Sequence, residues 1–197
     1  IAKARINCPS VEEAIAKVMP RLRGSYSMLV MSPTKLIAVR DPFGIRPLCM
    51  GKIGEDYVFA SETCALDTVG AELVRDVKPG EIITLHHGKF TSDERFCSAN
   101  TGACIFEHIY FARPDSVIDG QSVNESRVLT GKLLAKQHPV DADLVIGVPD
   151  SGLSSAIGYS MGSGIPFGLG LVKNRYIGRT FIQPSQSQRE RSVALKL

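Results

Sequence analysis

The sequence predicts a mixed α/β molecule, an α+β half of antiparallel strands and helices followed by the first βαβ part of a parallel α/β sheet. Three observations predict it. Short strand-like runs follow one another through the first half around turn residues, as antiparallel sheets do. The run Asp143-Leu144-Val145-Ile146-Gly147-Val148-Pro149 is apolar without alternation, the pattern of a strand buried on both faces of a helix-covered parallel sheet. A helical stretch precedes that run, and Asp150-Ser151-Gly152 opens another helix behind it.

The elements follow in order. Ser10-Val11-Glu12-Glu13-Ala14-Ile15-Ala16-Lys17-Val18-Met19 has a Ser cap, an acid three residues on and apolar residues at helical spacing, so it predicts a helix packed on a sheet. Residues 26–31 and 35–40 predict two strands around the Ser32-Pro33-Thr34 turn. Arg40, Asp41 and Arg46 sit in a turn with two prolines and read as a salt-bridged corner that fixes the strands beside it. Strands are expected at 48–51, 57–61 and 82–85, with a short helix from Glu62 to Thr68. The apolar segment from Cys104 predicts a strand or core piece that ends in a turn at Arg113-Pro114-Asp115. Residues 124–136 predict the helix that leads, through Pro139, to the buried strand.

Composition narrows the function. The chain has 197 residues, 44% hydrophobic and 22% charged, with a net charge of +3, an ordinary globular balance of one or two domains. That excess is too small to require nucleic acid, although Lys173, Arg175, Arg179, Arg189, Arg191 and Lys196 face only Glu190 towards the end of the chain. Five cysteines form no CxxC pair and follow no secretory segment, so a reducing, cytoplasmic setting is expected. No apolar run approaches the length of a membrane span. Ile1 is not an initiator Met, and residues 192–197 read as an amphipathic helix without a terminating Gly or Pro. Both ends are therefore expected to be cut.

Asp150, Ser151 and Gly152 sit where a helix start leaves backbone N–H groups pointing outward, which is either an ordinary cap or an anion site. The stretch Lys173-Asn174-Arg175-Tyr176-Ile177-Gly178-Arg179-Thr180-Phe181-Ile182-Gln183-Pro184 is cationic, contains Gly and ends in Pro, which suits a lid over a phosphorylated ligand. His86 and His87 could suggest a metal pair, but neighbours on a strand point to opposite faces, so solvated turn residues are expected. Glu107 and His108 have no partner visible in sequence and receive no role. Cys8 reads as an ordinary, partly buried thiol.

Val148-Pro149-Asp150-Ser151-Gly152 and residues 173–184 together resemble the phosphoribosyltransferase half of the amidophosphoribosyltransferase (glutamine phosphoribosylpyrophosphate amidotransferase) family. Arg23-Gly24-Ser25-Tyr26, Arg40-Asp41-Pro42-Phe43-Gly44-Ile45-Arg46-Pro47-Leu48, Ala60-Ser61-Glu62-Thr63-Cys64-Ala65-Leu66, Arg75-Asp76-Val77-Lys78-Pro79-Gly80-Glu81 and the segment from Cys104 to Ser116 resemble the same family's glutaminase part and junction. The resemblance implies part of an N-terminal-nucleophile hydrolase sandwich over residues 1–115 and the first part of a phosphoribosyltransferase sheet over 116–197. It implies transfer of glutamine-derived ammonia to phosphoribosyl pyrophosphate (PRPP), the first step of purine synthesis.

By the same resemblance Asp150, Ser151, Gly152, Lys173, Arg175, Tyr176, Arg179 and Thr180 bind PRPP, Ser151 lies at the Mg²⁺ site, and Cys104 is either a [4Fe–4S] ligand or a buried free thiol. Purine nucleotides are implied as inhibitors and a homotetramer as the assembly; no nucleic acid and no membrane are expected as partners. The nucleophilic N-terminal Cys, an Asn-Gly oxyanion pair and an acidic pair with a Thr-rich loop are absent, so the chain alone is expected to bind PRPP weakly or not at all and to turn nothing over. The alternatives are a non-catalytic phosphate-binding or regulatory module and a different phosphoribosyltransferase. The second would leave the Arg40 to Leu48 and Cys104 to Ser116 matches without a cause.

Overall fold

Alternation along β2 (Lys35–Arg40) sorts the first part of the molecule into layers. Ile37 and Val39 are buried towards one face and Ala38 towards the other. In the computed structural model, which describes residues 1–176, 178 and 184–196, this strand belongs to the first of two units, Ile1–Val123 and Asn124–Leu197. Its antiparallel sheet has the order β1-β2-β6-β7, with β1 at Ser27–Met31, β6 at Ile82–His86 and β7 at Lys89–Asp93.

A short helix α1 (Ala2–Arg5) precedes α2 (Val11–Val18), which lies on the Ile37 and Val39 face. There Ile15, Ala16 and Met19 close a core with Ile82. The α2 start is fixed by Ser10, whose side-chain oxygen accepts the Glu13 N–H at 3.2 Å. On the opposite face Ala38 and Ile83 meet Leu48, Met50 and Val77 of a second antiparallel sheet. Its order is β4-β3-β5, with β3 at Cys49–Ile53, β4 at Asp56–Ala60 and β5 at Glu72–Asp76. Cys49, between Leu48 and Met50, is turned outward to Leu66 of α3 (Thr63–Thr68). Alternate side chains of β2 and β3 enter different cores, both buried, which builds the order helix, sheet, sheet, helix. Burial, with the Asp76 carboxylate nearby, pushes the Cys49 thiol up to about 11, which keeps it protonated and inert at neutral pH.

The corner after β2 is held by Arg40, which is 1% exposed. Its guanidinium donates to the carbonyls of Arg46, Val77 and Gly44 and bidentately to the Asp119 carboxylate at 2.8 and 2.9 Å. Asp119 and Gly120, both at positive φ, form the two-residue turn between β8 (Val117–Ile118) and β9 (Gln121–Ser122). Asp41 instead accepts the backbone N–H groups of Phe43, Ile45 and Arg46, while Arg46 pairs with Glu107 at 2.6 Å. The corner is charge-fixed as expected, but its ion pairs reach distant residues.

The segment after Cys104 departs from the expected strand. It is helical, with a wide turn over Glu107–Phe111 closed by the Ala112 N–H on the Glu107 carbonyl at 3.0 Å. Of that turn only Glu107 is buried, whereas Ile105, Phe106, Ile109, Tyr110 and Phe111 are exposed. An apolar run with no alternation does not separate strand from helix, and here local hydrogen bonding prevails. The turn at Arg113 is present, with Ser116 N–H on the Arg113 carbonyl at 3.0 Å. Strands β5 and β7, not expected from the sequence, are polar edge strands of their sheets. At the end of β6, His87 leaves the strand at φ +49°, and its ring lies 4.3 Å from that of His86.

In the second unit α4 (Val123–Gln137) packs closely on α5 (Gly152–Ser163). A Cβ at Gly131 would lie 2.0 Å from the Ser155 carbonyl oxygen, and one at Gly158 would lie 2.0 Å from that of Val128. The run from Asp143 forms a single parallel bridge, Val145 to Phe167, rather than a long strand buried on both faces. Leu144, Ile146 and Val148 are about half exposed, because among the described residues only the Phe167 segment pairs with this run. The last helix, α6 (Gln186–Lys196), has no buried residue.

Candidate active site

The second unit brings two parallel segments together side by side. Val145 N–H donates to the Pro166 carbonyl and Gly168 N–H to the Val145 carbonyl, each at 2.9 Å. The first segment runs out at Pro149 and turns into α5, where Gly152 N–H donates to the Val148 carbonyl at 3.1 Å. Gly147 lets this helix approach: a Cβ there would sit 3.0 Å from Leu153 Cα and 3.1 Å from Ala156 Cβ. Ser151 occupies the position before α5 in helical conformation and makes no side-chain cap. Leu153 N–H likewise turns back to the Asp150 carbonyl at 3.4 Å, so the first two N–H groups of α5 have backbone acceptors while Ser151 caps none of them.

The second segment brings Lys173 to the same place. Its Nζ forms an ion pair with the Asp150 carboxylate, which is 67% exposed against 31% for Lys173. Asp150, Ser151, Gly152 and Lys173 are thus brought together. Arg175 and Tyr176 follow on an exposed turn, with Tyr176 98% exposed. Arg179 and Thr180 lie outside the described residues. Asn174 is the residue that sequence reasoning passed over. It anchors the loop: its N–H donates to the Lys196 carbonyl at 2.7 Å, its side-chain amide to the Leu195 carbonyl at 3.2 Å, and its Oδ1 accepts Tyr176 N–H at 3.0 Å. An Asn two residues before a turn residue is a usable signal for such an Asx turn.

Chemically, a flexible cation beside a carboxylate at an uncapped helix start is a charge-matched cradle for a phosphate group with its metal. The donor set fits Mg²⁺, which takes hard oxygen ligands and keeps only one or two from protein when phosphates supply the rest. Asp150 and Ser151 carry oxygens of that kind, with the Asp150 carboxylate paired to Lys173. An iron–sulfur cluster is different. All five thiols are unbridged, and among the described residues no group of three or more His, Cys, Asp and Glu side chains comes together. Cys104 offers a single thiol, half-buried, beside a cavity of only about 10 Å³. Cys104 is one of the four thiolates that a [4Fe–4S] cluster would take.

Glu107 and His108 also line that small cavity. Burial pushes the Glu107 carboxyl above its ordinary range despite the adjacent Arg46 guanidinium, with Glu62 adding to the rise. Its role is structural, holding the turn against the Arg40 corner.

Residues 4–68 match the family profile described as a glutamine amidotransferase domain. The chain is 48% identical over 188 residues to amidophosphoribosyltransferase of Bacillus subtilis (strain 168), covering 95% of this chain and 40% of that one. It is 50% identical over 189 residues to amidophosphoribosyltransferase of Methanothermobacter thermautotrophicus, again spanning 40% of the relative. Among solved structures it is similar to glutamine PRPP amidotransferase from B. subtilis complexed with ADP and GMP, at TM-score 0.82 and 49% identity, covering 92% of this chain and 40% of that one. A structure described as the allosteric regulatory enzyme of purine biosynthesis matches at TM-score 0.85 and 47% identity, covering 96% of this chain and 41% of that one. The chain spans about 40% of the length of the curated relatives it matches.

Proposed function

From the premise that this chain is homologous over 95% of its length to the amidophosphoribosyltransferases, we propose that it carries part of two linked sites: one that releases ammonia from glutamine and one that uses it. In this reading residues 1–115 belong to the glutamine amidohydrolase domain and residues 116–197 open the phosphoribosyltransferase domain. The whole enzyme converts glutamine, water and PRPP into glutamate, 5-phosphoribosylamine and pyrophosphate. Ammonia forms the new C–N bond at the ribose anomeric carbon as the C–O bond to pyrophosphate breaks. The leaving pyrophosphate takes the electron pair, and the proton lost by the ammonium goes to solvent.

The observation that carries the reading is the meeting of Lys173 with Asp150 at the uncapped start of α5. Negative charge builds on pyrophosphate as it departs, and in this reading Lys173 and the positive end of the α5 dipole offset it. Asp150 and Ser151 would hold Mg²⁺, whose charge, when bound, neutralises the phosphate oxygens. Lys173 then exchanges its carboxylate partner for a phosphate oxygen. Arg175 and Tyr176, exposed on the loop, and Arg179 and Thr180 complete the cover over PRPP. Purine nucleotides are the proposed inhibitors and a homotetramer the proposed assembly; the complex of a neighbour with ADP and GMP supports the first. Among the described residues no helix is long and apolar enough to cross a membrane; the proposed setting is cytoplasmic.

The test uses a polypeptide of the relatives' full length, with ammonia as nitrogen donor and pyrophosphate release as the signal. Lys173→Ala and Asp150→Asn are each expected to lower the rate by about a hundredfold, the scale of losing one group that offsets transition-state charge. Unchanged rates in both would overturn the assignment. PRPP binding without any pyrophosphate release would favour a non-catalytic phosphate-binding module instead.

A further inference from the structure

Helices α4 and α5 run parallel, with their starts side by side. Their contacts ascend together: Asn124 meets Ser154, Val128 lies against Gly158, and Lys132 and Ala135 lie against Gly162. At the starts the contact is polar. The Ser154 hydroxyl donates to the Asn124 side-chain oxygen at 2.8 Å. In this Ser154 differs from Thr68, Thr130 and Ser163, whose hydroxyls turn back to the carbonyls of Cys64, Ser126 and Tyr159, four residues earlier on their own helices, each at 2.8 Å. Turning back is the usual choice of a helix hydroxyl. Ser154 reaches across to a second helix instead.

Its place on α5 gives that bond a consequence. Ser154 is buried, so its hydroxyl needs a partner within the protein, and Asn124 in the first turn of α4 supplies one. Ser154 also follows Ser151 by three residues, one turn further along the same face of α5. The bond therefore stands directly behind the residues that meet Lys173. Close contacts at Gly131 and Gly158 fix how near the two helices come, while a directional bond at their starts fixes how far one advances along the other.

We propose that Ser154 and Asn124 are positioning residues for PRPP: their bond sets the advance of α5, and with it where Asp150, Ser151 and the positive end of the α5 dipole stand against the ligand's phosphates. This rests on the site reading above. The test uses a polypeptide of the relatives' full length with ammonia as nitrogen donor. Ser154→Ala and Asn124→Ala are each expected to raise the KM for PRPP about threefold to tenfold, the scale of one lost hydrogen bond, with smaller changes in kcat and in the KM for ammonia. The double variant is expected to match the single ones, because all three lose the same bond. Ser154→Thr, which keeps the hydroxyl, is expected to stay near the parent. Ser163→Ala removes a hydroxyl from the far end of the same helix and is expected to leave both KM values unchanged. An unaltered unfolding midpoint separates a displaced site from a damaged fold, and the exposed Asn124 carries the test if Ser154→Ala does not fold. If Lys173→Ala slows the reaction while the PRPP KM holds in both single variants, this inference is overturned and the site reading stands. Additive losses in the double variant, or an equal rise in Ser163→Ala, would overturn it as well. Unchanged rates in Lys173→Ala and Asp150→Asn would overturn the site reading and this inference together.

Discussion

The two units satisfy their side chains in opposite ways. In Ile1–Val123 apolar residues are enclosed between layers, and the charges carried inside are answered within the unit: Arg40 by Asp119 and three carbonyls, Glu81 by Arg75, Ser92 and the Lys78 N–H. In Asn124–Leu197 the close helix pair is well fitted at its glycines, yet Leu144, Ile146 and Val148 stand about half uncovered beside the candidate site. The difference teaches that local packing and a finished core are separate achievements. A helix pair can interlock at backbone distance while the sheet beneath it still has apolar surface to bury.

The largest expected break in this contrast comes from Arg40→Ala. It leaves the Arg46, Val77 and Gly44 carbonyls without their donor and Asp119, 45% exposed, without its partner, at a cost of about 1–3 kcal/mol for each buried acceptor left unsatisfied. Hydrogen exchange should show β2 and β6 losing protection while α4 and α5 keep theirs. If all four elements lose protection together, the units are not separately held. A paired truncation sharpens the comparison next. Ile37→Ala, in the closed core, is expected to cost about 3 kcal/mol, and Ile146→Ala about 1 kcal/mol or less, since half of Ile146 already meets water. Urea unfolding measures both; equal costs would mean that the Ile146 face is covered after all.

The smallest effect concerns acidity within the first unit. Burial pushes the Asp76 carboxyl above its ordinary range, with Asp119 adding to the rise and Arg40 opposing it. The folded state therefore holds that proton more tightly than the unfolded chain does. Asp76 weighs against the fold at neutral pH, and the penalty fades as pH falls through the raised folded value towards the unfolded one near about 3.9. Glu81 has the opposite sign. Burial pushes it up, but hydrogen bonds from Arg75, Ser92 and the Lys78 N–H pull it below the ordinary range. Its contribution is present above the unfolded carboxyl pKa and lost as pH falls through the depressed folded value. Asp76→Asn is expected to raise the unfolding midpoint slightly at neutral pH and to steepen its fall on mild acidification. An unchanged pH profile would remove Asp76 from this account.

Much of this was legible before any coordinates. The Ser10 cap and Glu13 fixed α2, and residues 35–40 were readable as a strand after the Ser32-Pro33-Thr34 turn, because each rests on local geometry. Asp150, Ser151, Gly152 and Lys173 were legible as candidates that would come together, because a helix start and a cationic loop each carry a chemical signature in sequence. What was not legible depends on partners far away. Arg40 looked like half of a local pair with Asp41, yet its acid lies 79 residues on, at Asp119. The residues from Cys104 read as a strand or core piece because an apolar run carries no period. β5 and β7 were missed because polar edge strands owe their pairing to a neighbour rather than to their own composition.

The two residues at the start of α3 fix something the sequence hides. One Glu62 carboxylate oxygen accepts the Arg113 N–H and the Ser116 hydroxyl, each at 2.8 Å, while Thr63 Oγ1 accepts the Val117 N–H at 2.9 Å. The outgoing polypeptide is moored at three points over five residues, so its heading as it leaves the sandwich is set by Glu62 and Thr63. A residue inserted between Arg113 and Val117 would slip one of these moorings before it lengthened the segment.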